Sequence, residues 1–152
     1  DDADTQQQGW LEVAALASSY LDSSRLGAAG ACGLVVQMLH RHAQDVKVQE
    51  NGWKAAVALA YKDAGNRRRL CAAGVLEQLV QAVKGHMPHA GVQLIAWWAA
   101  GRLAVDQASR LKLGSAGACA LLVQAFRAHR SSDVREVLQF AASKLTDDCQ
   151  EN

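Results

Sequence analysis

The chain has 152 residues, of which 50% are hydrophobic and 20% are charged, and its formal net charge is +1. This composition is typical of one globular domain with a sizeable core and excludes a disordered or fibrous chain. A net charge this small does not predict nucleic-acid binding, and the most apolar stretch, residues 90–100, is about half as long as a membrane-spanning helix, so we expect no direct membrane insertion.

The N-terminal part of the chain carries an incomplete copy of a pattern that recurs further along. Gly9-Trp10 lies 43 residues before Gly52-Trp53, and Leu16 lies 43 residues before Leu59. Self-similarity at a fixed period of this size is the signature of a repeat protein. We interpret residues 9–21 as a partial repeat.

Three full copies follow, which we place at residues 22–65, 66–108 and 109–146, with a C-terminal tail at 147–152. The copies align on matched leucine, glycine, glutamine and histidine positions: Leu26, Leu70 and Leu113; Gly30, Gly74 and Gly117; Gln37, Gln81 and Gln124; His42, His86 and His129. All of these copies form one predicted domain, residues 1–152.

Each copy is predicted to contain three helices. It opens on a residue type that caps helix starts, namely Asp22, Asn66 or Ser109. A short first helix leads to the shared glycine, where the chain can turn through a positive φ. A second helix, such as residues 34–42, and a longer third helix, such as residues 46–61, are apolar at helical spacing. No stretch alternates as a strand does, and the fold class is therefore all-α.

This pattern resembles the armadillo repeat. The likeness rests on the N-R/K-x-x-L-x-x-A-G opening, the L-V-Q second helix and the V-Q-E-x-G-W-x-A-x-x-x-L-A third helix, and it covers residues 9–145. The resemblance implies a right-handed α-solenoid whose third helices line a concave groove for extended peptides or partner helices.

The groove positions depart from those of peptide-binding relatives in this family. The position of their backbone-clamping asparagine holds Ala58, Arg102 and Lys144, and the position of the accompanying tryptophan holds Lys54, Trp98 and Phe140. The resemblance therefore does not imply a receptor for nuclear-import signals.

The preferred binding locus is this third-helix face. Trp98 and Arg102 lie four residues apart and are neighbours on one helix face, as are Phe140 and Lys144, while Lys54 precedes them in the first copy. An aromatic ring beside a cation can bind an acidic or aromatic peptide. The alternative is a solvated face with one extended arginine side chain.

Two further groups have structural alternatives. Trp10, Trp53 and Trp97 share one repeat position, where we expect packing between repeats rather than an exposed aromatic ladder. The basic run Arg67, Arg68 and Arg69 can bind carboxylates or phosphates, although solvent exposure or pairing within the chain is the favoured interpretation.

The sequence predicts no catalysis, cofactor or metal site. His42, His86 and His129 occupy one repeat position and are too far apart to bind one metal ion together. The stretch Gly27–Gly33 lacks the strand and the Gly-Lys-Ser/Thr ending of a phosphate loop. No nucleophile–base or paired-carboxylate motif is present.

Two functions agree with this pattern. The first is a non-catalytic scaffold that binds a partner protein along the third-helix groove. The second is a structural subunit packed permanently in a larger, organellar or membrane-associated assembly. Four scattered cysteines indicate reduced thiols in an intracellular protein. The cytoplasm is the default compartment, and a start at Asp1 without methionine leaves an organelle open, after loss of a targeting segment.

Overall fold

A computed structural model describes residues 20–146 of the chain. This part is all-helical and contains no strand, in agreement with the predicted fold class. The helices are α1 (Tyr20–Ala28), α2 (Ala31–Arg41), α3 (Val46–Ala60), α4 (Ala64–Ala72), α5 (Val75–Gly85), α6 (Ala90–Leu103), α7 (Gln107–Ser115), α8 (Ala118–Ala128) and α9 (Ser132–Thr146). The partial repeat at 9–21 lies almost wholly outside the described residues, as does the tail at 147–152.

The glycine turns form where the sequence predicts them. Gly30, Gly74 and Gly117 have φ values of 101°, 95° and 90°, and each lies between a short helix and the helix that follows it. Any residue with a side chain would be strained at these positions, because only glycine adopts such positive φ values readily. The helices consequently recur in groups of three, hereafter the first, second and third units: α1–α3, α4–α6 and α7–α9.

The predicted helix caps are wrong. Asp63 caps α4 by accepting a hydrogen bond from the backbone N–H of Asn66, at 2.8 Å. Asp106 caps α7 in the same way, accepting from the N–H of Ser109 at 2.7 Å. Asn66 and Ser109 are therefore the third residues of their helices, and Asp22 lies inside α1. The aspartate three residues upstream is the cap in each case, because its carboxylate reaches the free N–H groups of the first turn.

The third helices form the centre of the core. Helix α6 packs against α3 on one side and against α9 on the other. Trp53 and Trp97 are completely buried within this core, as are Leu59 and Leu103. These two tryptophans consequently form no exposed ladder, and Trp10 lies outside the described residues.

Buried glutamines join the second and third helices of the first two units. Gln49 Nε2 donates to the carbonyls of Leu39 and His42, at 2.9 and 3.0 Å, and Gln49 Oε1 accepts from the Trp53 indole. Gln93 makes the same three bonds in the second unit. These bonds pair polar groups that would otherwise be costly to bury. They also fix the position of each third helix.

The repeated histidines connect neighbouring units. His86 Nε2 lies 2.6 Å from the carbonyl oxygen of Ala43, and His129 Nε2 lies 2.7 Å from that of Met87. Both rings are buried, and each reaches into the loop before the third helix of the preceding unit. Each of these two histidines is thus within hydrogen-bonding distance of a carbonyl oxygen in the preceding unit, and the shared position joins neighbouring units.

Candidate functional site

The packing of α6 against α9 brings four of the predicted residues together. Trp98 and Arg102 are one turn apart on α6, and Phe140 and Lys144 are one turn apart on α9. The rings of Trp98 and Phe140 have centroids 5.0 Å apart and planes tilted by 33°. This separation is within the favourable range for aromatic pairs, so the two helices are joined by a ring contact at this face.

A glycine on α6 makes this contact possible. A Cβ atom at Gly101 would lie 2.2 Å from Cε1 of Phe140, closer than atoms can approach. The Phe140 ring therefore lies directly on the backbone of α6, and any side chain at position 101 would displace it. The equivalent positions in the other units hold Val57 and Ser143, so this arrangement is specific to the junction between α6 and α9.

Arg102 lies at the centre of the site, among three aromatic rings. Its Cζ atom is 5.0 Å from the ring centroid of Trp98, 5.0 Å from that of Tyr61 and 5.9 Å from that of Phe140. Tyr61 directly follows α3 as its C-cap residue. All three distances fall within the range of cation–π attraction. The arginine therefore connects α3, α6 and α9 through ring contacts.

The two edges of the Arg102 guanidinium have different surroundings. Its Nε atom is buried and has no hydrogen-bond partner in the described part of the chain. The two terminal nitrogens are not among the buried unpaired atoms, and no hydrogen bond or ion pair joins them to residues 20–146. The terminal edge is therefore not fully buried, and a guanidinium edge of this kind can donate two parallel hydrogen bonds to a planar anion.

Two lysines extend the arrangement on either side. Lys62 Nζ lies 5.3 Å from the ring centroid of Tyr61, and Lys144 Nζ lies 6.0 Å from that of Phe140. Neither lysine has an ion pair within the described residues. Three cations and three rings thus form a contiguous cluster that extends from the end of α3 over α6 to α9, which we call the cation–aromatic row: Lys62, Tyr61, Arg102, Trp98, Phe140 and Lys144.

The remaining predicted residues lie apart from the row. Lys54 is exposed on α3, and no ring contact or hydrogen bond joins it to the row within residues 20–146. Arg67 donates to the carbonyl of Ala60 at 2.9 Å, and Arg69 donates to the Asn66 side chain at 3.0 Å. Two of the three arginines of the basic run therefore form hydrogen bonds within the chain, which agrees with the favoured interpretation of pairing within the chain.

Arg68 is exposed and lines a surface groove between α4 and α7. This groove has a volume of about 450 Å³ and also includes Arg67, Cys71 and Asp106. Burial raises the pKa of the Cys71 thiol, although the neighbouring Ser109 hydroxyl opposes the shift. A thiol with a raised pKa is a weak nucleophile, so Cys71 is not activated for reaction in this groove.

Within residues 20–146, no three His, Cys, Asp or Glu side chains are close enough to hold one metal ion. None of the described helices combines the length and apolarity needed to cross a bilayer. The row remains the most distinctive chemical feature of the described surface.

Tyr61 and Lys62 were missed by the sequence analysis. They lie in the linker between α3 and α4, whereas the register of the repeats directs attention to matched positions within the third helices. Lys62 has a φ of 52°, in the left-handed region that non-glycine residues seldom adopt. The Tyr-Lys pair at the end of α3 was the available signal, since it repeats the aromatic-and-cation chemistry of α6.

No protein-family model matches the chain, and no curated protein matches it. The chain is similar to the crystal structure of an engineered protein solved by the Northeast Structural Genomics Consortium. The TM-score is 0.84 and the sequence identity is 26%, over 95% of this chain. The chain spans 59% of the length of that protein.

Proposed function

We propose that the chain is a non-catalytic scaffold that binds a partner protein along its third-helix face, with the cation–aromatic row as the contact surface. The observation that carries this proposal is Arg102, whose inner edge is enclosed by three rings while its terminal edge has no partner in the described residues. Rings restrict the motion of the guanidinium, so a ligand loses little side-chain entropy when it binds there.

The proposed architecture is a right-handed α-solenoid of the armadillo type, with α3, α6 and α9 lining its concave side. Three-helix groups, glycine turns between their first and second helices, and sequential packing of the third helices support this architecture. A solenoid of this kind presents an extended surface that crosses several units. The row crosses all three, as an extended ligand would require.

Affinity isolation with a row variant tests the proposal. The tagged chain and its Trp98→Ala/Arg102→Ala variant are used to isolate partners from native extract, and each recovered partner is then purified and titrated directly. We expect direct binding that the variant weakens by at least about tenfold, since aromatic and arginine residues dominate protein interfaces. A Gln81→Ala/Lys84→Ala variant, which removes exposed side chains on α5, is the matched control.

The outcome depends on folding as well as on binding. Circular dichroism and thermal unfolding of both variants establish that a loss of binding is not a loss of structure. Binding that persists unchanged in a folded Trp98→Ala/Arg102→Ala variant would show that the row is not the contact surface.

A second candidate, a permanent subunit of a larger assembly, is favoured by a different observation. Val123 is 47% exposed on α8, whereas its equivalents Val36 and Val80 are 5% and 7% exposed in α2 and α5. His42 Nε2 is buried and has no hydrogen-bond partner among residues 20–146, while its equivalents His86 and His129 bond to the preceding unit. The third unit therefore exposes a valine that is covered in the other two units.

Sedimentation velocity separates the two candidates. A subunit of this kind is expected to self-associate or aggregate alone through Val123, and Val123→Ser is expected to restore a monomer. A monomer at micromolar concentration that binds its partner reversibly supports the scaffold. The exposed Leu34 provides a matched Leu34→Ser control on another helix.

A further inference from the structure

The cation–aromatic row is a local excess of positive charge. Lys62, Arg102 and Lys144 are its three cations, and none of them has an ion pair within residues 20–146. The formal net charge of the whole chain is only +1, so acidic side chains elsewhere offset this excess. Cations without an acidic partner attract anions. The charge of the row therefore favours an anionic ligand.

Arg102 is the cation for which an anion would matter most. Three ring centroids lie within 5.9 Å of its Cζ atom, and its Nε is buried without a hydrogen-bond partner in the described residues. A charged group that has lost water without gaining a hydrogen bond costs free energy. A carboxylate at the terminal nitrogens would offset this cost through charge-assisted hydrogen bonds. An anion consequently gains more at Arg102 than at an exposed lysine.

Apolar side chains adjoin Arg102 on the same face of α6. Ile95, Trp98 and Arg102 follow one another at intervals of three and four residues, which places them on one helix face. Ile95 and Trp98 are only partly buried, so part of each side chain remains accessible. A ligand whose carboxylate meets Arg102 can therefore place a neighbouring side chain against Ile95 and Trp98, where burial of apolar surface is favourable.

An aromatic ligand fits the row less well than an acidic one. The Tyr61 ring already has Lys62 and Arg102 within 5.3 Å of its centroid. The Trp98 and Phe140 rings contact one another, and Arg102 lies over both of them. A ligand ring, from a side chain or from a nucleic-acid base, would compete with these contacts for the same ring surfaces. A carboxylate at the terminal nitrogens of Arg102 displaces none of them.

We infer that the row binds an acidic segment of a partner protein in which apolar residues neighbour the carboxylates. One carboxylate pairs with the terminal nitrogens of Arg102, and an apolar side chain beside it packs against Ile95 and Trp98. Lys62 and Lys144 add to the attraction as exchangeable point charges. This inference rests on the proposed function and names the chemistry of its partner.

Four unlabelled nonapeptides test the acidic and the apolar requirement separately. The first consists of three Leu-Glu-Gly triplets. The others replace every Leu by Ser, every Glu by Gln, or every Leu-Glu pair by Phe-Gln, which represents the aromatic alternative. Each peptide is titrated into the isotope-labelled full chain, and NMR chemical shifts give the Kd at low and at physiological salt. We expect the Leu-Glu-Gly peptide to bind at least about fivefold more tightly than each of the others, with an affinity that falls as salt rises.

Variants of the chain connect the binding to Arg102. Arg102→Gln is expected to weaken binding of the Leu-Glu-Gly peptide about tenfold, and Arg102→Lys, which keeps the charge but loses the planar fork, about threefold. Arg127→Gln removes an exposed arginine on α8 and is the matched control, with an unchanged Kd. The Arg102 Nε–H resonance, identified by its loss in Arg102→Lys, is expected to shift during the titration. Circular dichroism verifies that each variant is folded.

Three results would overturn the inference. They are an equal affinity for the Leu-Gln-Gly peptide, an unchanged Kd in a folded Arg102→Gln variant, and tighter binding of the Phe-Gln-Gly peptide or of a nine-residue oligothymidylate. An equal affinity for the Ser-Glu-Gly peptide would overturn its apolar part. The affinity-isolation experiment uses partners from native extract and none of these peptides. Loss of those partners in the Trp98→Ala/Arg102→Ala variant would uphold the proposed function even if the inferred chemistry fails, so the two failures are distinguishable.

Discussion

The first and second junctions between units have the same register but different chemistry. At the first junction, Asn66 is completely buried, and its Nδ2 donates to the carbonyls of Ser23 and Leu59 at 2.8 and 2.9 Å. At the second junction Ser109 takes the place of Asn66, and Cys71 Sγ lies 3.9 Å from its hydroxyl oxygen. At this repeat position the first junction has a buried hydrogen-bonded network, whereas the second has a weak sulfur–hydroxyl contact.

The side-chain volumes compensate across each junction. A Cβ atom at Gly27 would lie 1.6 Å from Oδ1 of Asn66, so the large amide requires a glycine opposite it. Cys71 is the repeat equivalent of Gly27, and it faces the smaller Ser109. The side chains that face each other at this position therefore fit together at both junctions, as close packing requires, although their polar chemistry differs.

The largest expected effect comes from Asn66→Ala. The substitution leaves the buried carbonyls of Ser23 and Leu59 without their amide donor and opens a cavity, so we expect a loss of about 3 kcal/mol in the free energy of unfolding. Ser109→Ala at the second junction is expected to cost about 1 kcal/mol. Urea unfolding at pH 7 measures both. Similar costs at the two junctions would refute the difference in chemistry that we describe.

Cysteine reactivity provides the second test of the comparison. Burial at the first junction raises the pKa of the Cys32 thiol to about 11, while Cys119 is exposed on α8. Because only the thiolate reacts, we expect iodoacetamide at pH 8 to alkylate Cys32 about a hundredfold more slowly than Cys119. This protection should shrink as the pH rises towards 11, since the thiolate fraction increases. Peptide mapping by mass spectrometry resolves the rates.

Unfolding controls the cysteine experiment. In urea above the unfolding transition the two thiols are expected to react at similar rates, because burial no longer raises the pKa of Cys32. Comparable rates for Cys32 and Cys119 in the folded chain would contradict a buried first junction.

A double-mutant cycle sharpens the volume argument. Gly27→Ala alone is expected to cost about 2 kcal/mol, because the new methyl group and the Asn66 amide cannot both fit. In an Asn66→Ser background, which imitates the second junction, Gly27→Ala should cost about 1 kcal/mol less. Urea unfolding of the four proteins measures the coupling. Additive costs would show that the two residues do not compete for space.

The repeat pattern allowed the fold class and the glycine turns to be predicted. Gly30 and Gly74 recur with the leucines around them, and each takes the positive φ that their position demands. The caps were not predicted, since Asp63 and Asp106 precede the matched block that defined each repeat. Aligning the repeats identifies equivalent positions. It does not show which polar side chain near a helix start reaches the free backbone N–H groups.

Part of the site followed from helical spacing, and part required tertiary structure. The four-residue interval predicted that Arg102 lies beside Trp98, and it does. That Tyr61 would reach the same guanidinium depends on how α3 ends and on the distance between α3 and α6. Likewise, the contact of Phe140 with Gly101 depends on how α6 and α9 pack together, and the spacing of residues along the sequence does not reveal that packing.

The smallest expected effect concerns the aspartate caps of the two junctions. The backbone N–H of Ser109 holds the pKa of the Asp106 carboxyl below its usual value, so ionised Asp106 stabilises the folded chain above that usual pKa. This stabilisation is lost as the pH falls through the lower, folded-state pKa. Asp106→Asn keeps an acceptor but removes the charge. We expect it to cost roughly 0.5 kcal/mol at pH 7, because solvent screens this exposed position, and almost nothing at pH 2.

Asp63→Asn is the matched substitution at the first junction. The Asp63 side chain is buried at 6% exposure, and its carboxylate accepts from the N–H of Asn66, the residue on which that junction depends. Water cannot easily replace a buried hydrogen bond that is disturbed, so Asp63→Asn should cost more than Asp106→Asn at pH 7. Thermal unfolding of both variants at pH 7 measures the two costs, and unfolding of Asp106→Asn at pH 2 measures the loss of its effect. Equal costs would mean that burial does not strengthen the first junction's cap, and the contrast between the junctions would then reside in Asn66 and Gly27 alone.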